Sequence, residues 1–283
     1  MGTSFAAEVV VDREAEGRYT ATLSDRWNLR PLPQGGVITA FALRAMAHAL
    51  GDPHQTLRTS HTTFAGQVAH GPLEIDVEVL RRGRSMSQLR AEVRNRGSER
   101  GHLTTAAFGT ARPGFEFTDL VPPVVPPPEA SRSFRDPLPP DVPAMEPMPF
   151  WEELVHGRQA FGYRPGDEWE PRRAERAVWY RFDDPPVGAD GNLDPFALAV
   201  LGDVMPGATW ERVGDTSGPW FAPSVDLSLH VLGPCTPGWV LGHNTVRHAG
   251  DGYASADMAL WDLTDEPRLV AYATQVFLFS FLT

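Results

Sequence analysis

The sequence predicts an α+β protein built from two tandem copies of one unit, as two antiparallel sheets each wrapped around a central helix. Three observations carry that expectation. A proline-rich stretch divides the chain, the same order of elements stands on either side of it, and apolar and polar residues alternate where strands are expected.

Composition sets the outer bounds. At 283 residues the chain is long for one core and comfortable for two domains. Apolar residues at 42% and charged residues at 22% fit a globular protein. No apolar run reaches the ~18 residues of a membrane span. The opening MGTSFAAEVVVDREAEG has no basic segment followed by an apolar one, so no secretory signal is expected and the cytoplasm is the default location. A lone cysteine, Cys235, rules out an internal disulfide and a cysteine-built zinc site. The net charge of −11 argues against nucleic acid as a partner, since phosphate binding needs a positive surface. All 25 basic residues are arginine. The chain therefore has no Schiff-base lysine and no P-loop lysine.

Residues 121–150 hold 11 of the 27 prolines. Proline lacks a backbone donor and fixes its own φ, so this stretch reads as an extended linker. The expected division is a first domain over 1–115, a linker over 116–150 and a second domain over 151–283. In the first domain a strand over Arg18–Leu23 leads to Gly35-Gly36 and an apolar helix over 37–50. Strands follow near Leu57–Phe64, Pro72–Leu80, Met86–Arg96 and His102–Gly109. In the second, a strand over 176–182 precedes a helix over 194–207 (DPFALAVLGDVMPG). Strands then run near Pro223–Leu232, Trp239–Arg247, Tyr253–Leu263 and Arg268–Phe279.

Period-two alternation supports the strands. Leu73, Ile75, Val77 and Val79 point one way, and Glu74, Asp76 and Glu78 the other. Leu89, Ala91 and Val93 face in while their neighbours face out, as in an antiparallel sheet with one wet face. Both helices are apolar nearly all round, which marks them as buried. A buried helix followed by four antiparallel strands, twice over, describes a tandem hotdog fold.

Several segments resemble the bacterial acyl-CoA thioesterase II (TesB-like) double hotdogs over most of the chain outside the linker. GGVITAFALRAMAHAL resembles the family's Gly-Gly-led central helix, and residues 77–109 its strands with an Arg-x-Gly-x-Ser turn. LGDVMP, PSVDLSLH and YATQVF resemble the three segments that carry its catalytic residues. Asp203 then matches the family's aspartate and Gln275 its glutamine. Ser224 stands where the family usually has threonine, which keeps the hydroxyl and loses a stiffening methyl. His61 falls where some relatives also have histidine. The resemblance implies acyl-CoA as substrate, no metal or redox cofactor, and a homo-oligomer.

The residues themselves point the same way with less specificity. Asp203 lies in a helix without other charges and Gln275 in a strand flanked by apolar residues. Buried polar groups need partners, so these two are expected to satisfy each other, either as a structural pair or as part of a site. Ser224 opens a strand, where by parity it shares a face with Asp226, Ser228 and His230. Together the three suggest a hydrolytic mechanism in which Asp203 acts as general base on a water held by Ser224 and Gln275. A backbone N–H at the helix N-terminus of the facing hotdog would hold the oxyanion. Arg81, Arg82, Arg84 and Ser85 either contact coenzyme A phosphates or form a solvated turn. Gly35 and Gly36 either let a ligand approach the backbone or open the helix.

No Gly-x-Ser-x-Gly elbow supports a serine hydrolase. The nine histidines form no metal-binding pattern, and His243 and His248 are expected on opposite strand faces. Two other functions stay open. A hydratase or dehydratase on acyl thioesters would need a histidine–acid pair near a helix, and neither helix offers one. A non-catalytic acyl-CoA or acyl-carrier binding module would bind tightly without turnover.

Overall fold

The structure, a computed structural model, describes residues 4–29, 32–142, 147–214 and 220–281. Residues 143–146 of the proline-rich stretch lie outside the described residues. The first half contains α1 (Phe5–Glu8), β1 (Asp12–Ala15), β2 (Arg18–Leu23), α2 (Gly35–Leu50), β3 (Thr56–Phe64), β4 (Gly71–Arg81), β5 (Met86–Asn95) and β6 (His102–Gly109). Then come β7 (Arg132–Ser133), β8 (Val155–Phe161), β9 (Glu175–Phe182), α3 (Ala197–Gly202), α4 (Trp210–Val213) and β10 (Trp220–Phe221). The chain ends through β11 (Asp226–Val231), β12 (Val240–Gly250), β13 (Tyr253–Asp262), β14 (Arg268–Leu278) and β15 (Ser280–Phe281).

The alternation places side chains as expected where the strands are regular. Leu73, Ile75, Leu89, Ala91 and Val93 are buried under α2, while Val79, near the end of β4, is exposed. α2 is buried along most of its length. Gln34 caps it, its Oε1 accepting the Val37 N–H at 2.9 Å. Gly51 ends it in a left-handed conformation, with φ 63°. Its one buried hydroxyl, Thr39, meets Thr62 at 2.9 Å, and Thr62 meets Thr104 at 2.9 Å, so each has a partner.

Two expectations need correction. The halves do not form two sheets. They share one antiparallel sheet of 13 strands, ordered β1-β2-β4-β5-β6-β3-β11-β14-β13-β12-β9-β8-β7. β3 and β11 would each end their own half with unpaired backbone groups, and they satisfy one another, with His61 opposite Ser228. The second correction concerns the helix expected over 194–207. α3 stops at Gly202, and a tight 3-10 turn follows over Met205–Thr209. A proline ring clashes with the carbonyl four residues earlier and has no N–H to donate to it, so Pro206 cannot continue the helix beyond Gly202. Asp203 stands just past the helix with φ −98° and ψ 44°, not inside it.

The second half differs on its outer face. There Ala177, Trp179, Leu241, Ala259 and Trp261 form a separate apolar cluster, against which Val125 of the proline-rich stretch packs. The Trp179 indole N–H donates to the Pro126 carbonyl at 2.9 Å. β12 also carries a bulge between Val246 and His248. That extra residue reverses parity, so His248 shares the outer face with His243 and does not oppose it.

Candidate active site

The polar centre of the molecule lies between the halves, where the N-terminus of α2 meets the end of α3. Asp203 is 7% exposed and Gln275 is 1% exposed. The Gly36 N–H donates to Asp203 Oδ2 at 2.9 Å, and the Gly35 N–H adds a second backbone contact. Gln275 Nε2 donates to Asp203 Oδ1 and, at 2.8 Å, to Ser224 Oγ. The Ser224 hydroxyl donates in turn to Asp203 Oδ1 at 3.3 Å. A carboxylate only accepts, so the amide nitrogen of Gln275 must face it, and each polar hydrogen then has one acceptor. Gln275 Oε1 is buried and has no hydrogen-bond partner among the described residues.

Burial pushes the Asp203 carboxyl up to about 6, against the hydrogen bonds from Gly36, Gln275, Ser224 and Gly35 that favour its charged form. The group therefore changes charge near neutral pH, in the range where a carboxylate can both take and return a proton.

Ser224 reaches this site through a slip in register. Continuing the Ser228–Thr274 pairing along the strands would put Leu278 opposite Ser224, but Phe277 stands there. One residue of shift turns a side chain to the other face of a sheet. Ser224 thus points inward, away from the face of Asp226, Ser228 and His230 on which parity had placed it.

The first half repeats this geometry without its chemistry. Leu57 stands opposite Phe108, and a register shift follows between Leu57 and Thr59. Ala106 lies two residues before Phe108, as Gln275 lies two before Phe277. The counterparts of Ser224 and Gln275 are thus Leu57 and Ala106, both apolar and buried.

Gly35 and Gly36 touch the site directly. A Cβ on Gly36 would lie 2.2 Å from the Ala199 carbonyl oxygen, and one on Gly35 would lie 2.7 Å from the Phe64 ring and 2.9 Å from Asp203 Oδ2. The helix N-terminus expected to hold an oxyanion is present, but here its Gly36 N–H holds the carboxylate. Arg81, Arg84 and Ser85 lie at the other end of α2, roughly 24 Å away at 1.5 Å per residue. Their neighbour Arg82 caps the α2 C-terminus, donating to the carbonyls of Leu50 at 2.7 Å and Ala49 at 3.1 Å. His61 faces outward at the β3–β11 seam, 2.9 Å from Ser228 Oγ.

Sequence reasoning missed two neighbours of the site. Gln34 Nε2 donates to the carbonyls of Val200 at 2.8 Å and Asp203 at 3.2 Å, tying α2 to the turn that presents the carboxylate. Nothing local in the sequence marked these cross-half bonds. Phe64 lies against Gly35 and stacks edge-on with His102, ring centroids 4.7 Å apart. Burial pushes the His102 imidazole down to about 3, so it backs Phe64 as a neutral ring.

An antiparallel sheet wrapped on buried helices, built from two related halves with one polar site between them, defines a tandem hotdog protein. Residues 23–111 match the acyl-CoA thioesterase N-terminal domain, and residues 127–279 match the acyl-CoA thioesterase C-terminal domain. The chain belongs to the acyl-CoA thioesterase family. By structure it is similar to a hot dog fold protein of unknown function from Alicyclobacillus acidocaldarius, at 22% identity and TM-score 0.78, over 99% of this chain and 98% of that one. It is also similar to acyl-CoA thioesterase II TesB2 from Mycobacterium marinum, at 21% identity and TM-score 0.75, over 99% of each chain. A protein from Novosphingobium aromaticivorans proposed to be a thioesterase aligns at 25% identity and TM-score 0.74, over 95% of this chain and 97% of that one. Among curated proteins, none matches the sequence. No described helix is long and apolar enough to cross a membrane.

Proposed function

We propose that the protein hydrolyses an acyl-CoA thioester to a free acid and coenzyme A, with Asp203, Ser224 and Gln275 orienting the attacking water. One observation carries this reading: Gln275 Nε2 bonds both Asp203 Oδ1 and Ser224 Oγ, which leaves its buried Oε1 as an acceptor beside the carboxylate. A water donating one hydrogen to Asp203 and the other to Gln275 Oε1 would present its lone pair to the thioester carbon. Asp203 takes the water proton as the C–O bond forms. When the tetrahedral intermediate collapses, the C–S bond breaks, and the proton passes from Asp203 to the departing thiolate. Thiolates leave readily, so no stronger acid is needed.

The same proposal assigns residues 1–115 and 151–283 to two hotdog domains joined by the proline-rich 116–150. In its support, residues 110–127 form no regular element. The decisive experiment measures thiol release from short, long and aromatic acyl-CoAs by the unmodified protein and by Asp203→Asn. Turnover that collapses in a folded variant supports the assignment, and equal turnover sinks it. Binding of acyl-CoA without turnover by either protein would instead make the chain a binding module.

A further inference from the structure

A cavity of about 620 Å³ lies beside the second-half sheet, between α4, the later part of β12 and the β10–β15 ribbon. Its position relative to Asp203 and Gln275 follows from strand register. Gln275 stands opposite Ala256, and Ala256 opposite Val246, which lines the cavity. Two strand spacings separate Gln275 from that wall, about 10 Å. Ala256, the residue between, is small.

The lining has a charge unlike the rest of the chain. The protein carries 36 acidic and 25 basic residues. Among the described residues, the cavity is lined by Arg173, Arg212 and Arg247 together with His248, and by no carboxylate side chain. Arg247 is held by Asp257, and Arg173 sits 3.6 Å from Glu175. Arg212 has no ion-pair partner among the described residues. It is an exposed guanidinium on α4, the helix that follows the Asp203 turn.

The apolar wall is aromatic and fixed in place. Trp220 stacks on Trp210 with centroids 5.3 Å apart and meets Phe279 edge-on at 5.4 Å. The cavity therefore sets aromatic rings beside several guanidinium groups, side chains of the kinds that bind a planar base carrying phosphates.

On the thioesterase reading above, we propose that this cavity holds the nucleotide end of the coenzyme A substrate, with its phosphates against Arg212 and Arg173 and its adenine against Trp220. The pantetheine arm is long enough to bridge from the cavity to a thioester carbonyl at Gln275. The arginines at residues 81–84 stand at the far end of α2 from Asp203 and serve this contact less well.

Two measurements test the proposal, and they separate its failure from that of the hydrolase reading. The first is calorimetric binding of adenosine 3′,5′-bisphosphate to the unmodified protein, to Arg212→Ala and to Arg212→Glu. The affinity should fall about tenfold in Arg212→Ala, the loss of one charge-assisted contact, and further in Arg212→Glu. Absent binding, or equal affinity in all three proteins, overturns the proposal. The second compares KM for an acyl-CoA with KM for the same acyl group on N-acetylcysteamine, which ends before the nucleotide. Arg212→Ala should raise only the first. An unchanged KM for both, or an equal rise in both, overturns the cavity assignment while leaving thioester hydrolysis intact. Should no thioester be hydrolysed while bisphosphate affinity still tracks Arg212, the cavity assignment stands and the hydrolase reading falls.

Discussion

The N–H of Gly36 donates to Asp203 Oδ2 at 2.9 Å, across 167 positions of sequence. This bond joins the start of the first half's helix to the turn after the second half's helix. The positive end of a 16-residue helix faces the carboxylate. It favours the charged form, yet burial outweighs it and pushes the carboxyl up to about 6.

Asp203→Asn is expected to lower kcat by about 10²–10⁴, the usual worth of a positioned general base. In the unmodified protein, kcat/KM should fall on the acid side with an apparent pKa near 6, because only the ionised carboxyl accepts the water proton. Steady-state rates across pH 4 to 9 check both. An acid limb centred near the ordinary value of 3.8 would show that Asp203 is not the base.

The same shift predicts a stability change. The carboxyl ordinarily titrates at 3.8 and does so at about 6 when folded, so between those values the folded chain binds more protons. Stability contributed by this group is present below 3.8 and is lost as pH rises through 6. At ~1.4 kcal/mol per unit the loss is at most ~3 kcal/mol. Denaturant titrations at pH 4 and 7.5 should show a fall that is flattened in Asp203→Asn.

Gly36→Ala places a Cβ 2.2 Å from the Ala199 carbonyl oxygen and 2.6 Å from its carbon. Backbone cannot give way as a side chain can, so α2 and α3 must separate. The expected cost is at or above the ~1–3 kcal/mol of ordinary overpacking, with turnover lost alongside. Thermal unfolding compared with Gly35→Ala, where the Phe64 ring can turn aside, provides the check.

Ser224→Ala removes the hydroxyl that links Gln275 Nε2 to Asp203. One such bond is worth ~1 kcal/mol, so kcat should fall about five- to tenfold. Ser224→Thr keeps the hydroxyl and should stay within about twofold of the unmodified protein, by the same arithmetic. Equal losses in both variants would mean that the site tolerates no added methyl, and equal retention would exclude a role for the hydroxyl.

Phe64→Ala opens one side of Asp203 to water. Less desolvation moves the carboxyl back toward the ordinary range, so the acid limb of the pH profile should shift below 6. A limb that stays in place would show that Phe64 does not keep the carboxylate dry.

Much of this architecture was legible along the chain. Leu89, Ala91 and Val93 alternate with polar neighbours, so their strand and its inner face follow from period two alone. His102–Gly109 was bounded as observed, because its strand contains no bulge. β8 was not foreseen, since VHGRQAF lacks clear alternation. α3 was read too long because apolar content outweighed the stop that Pro206 imposes. Gln34 and Phe64 carry no local mark of the site, since what they touch lies in the other half.

By itself, the sequence determined that Asp203 and Gln275 are polar groups set among apolar residues and must find partners. It also determined the four strands that follow the helix in each half, in their chain order. Tertiary structure alone decided which partners those groups found, because a register slip opposite Phe277 turned Ser224 inward and the packing of α2 on α3 brought Gly36 to the carboxylate. Periodicity describes a strand only as far as its first bulge, and contacts between halves have no period at all.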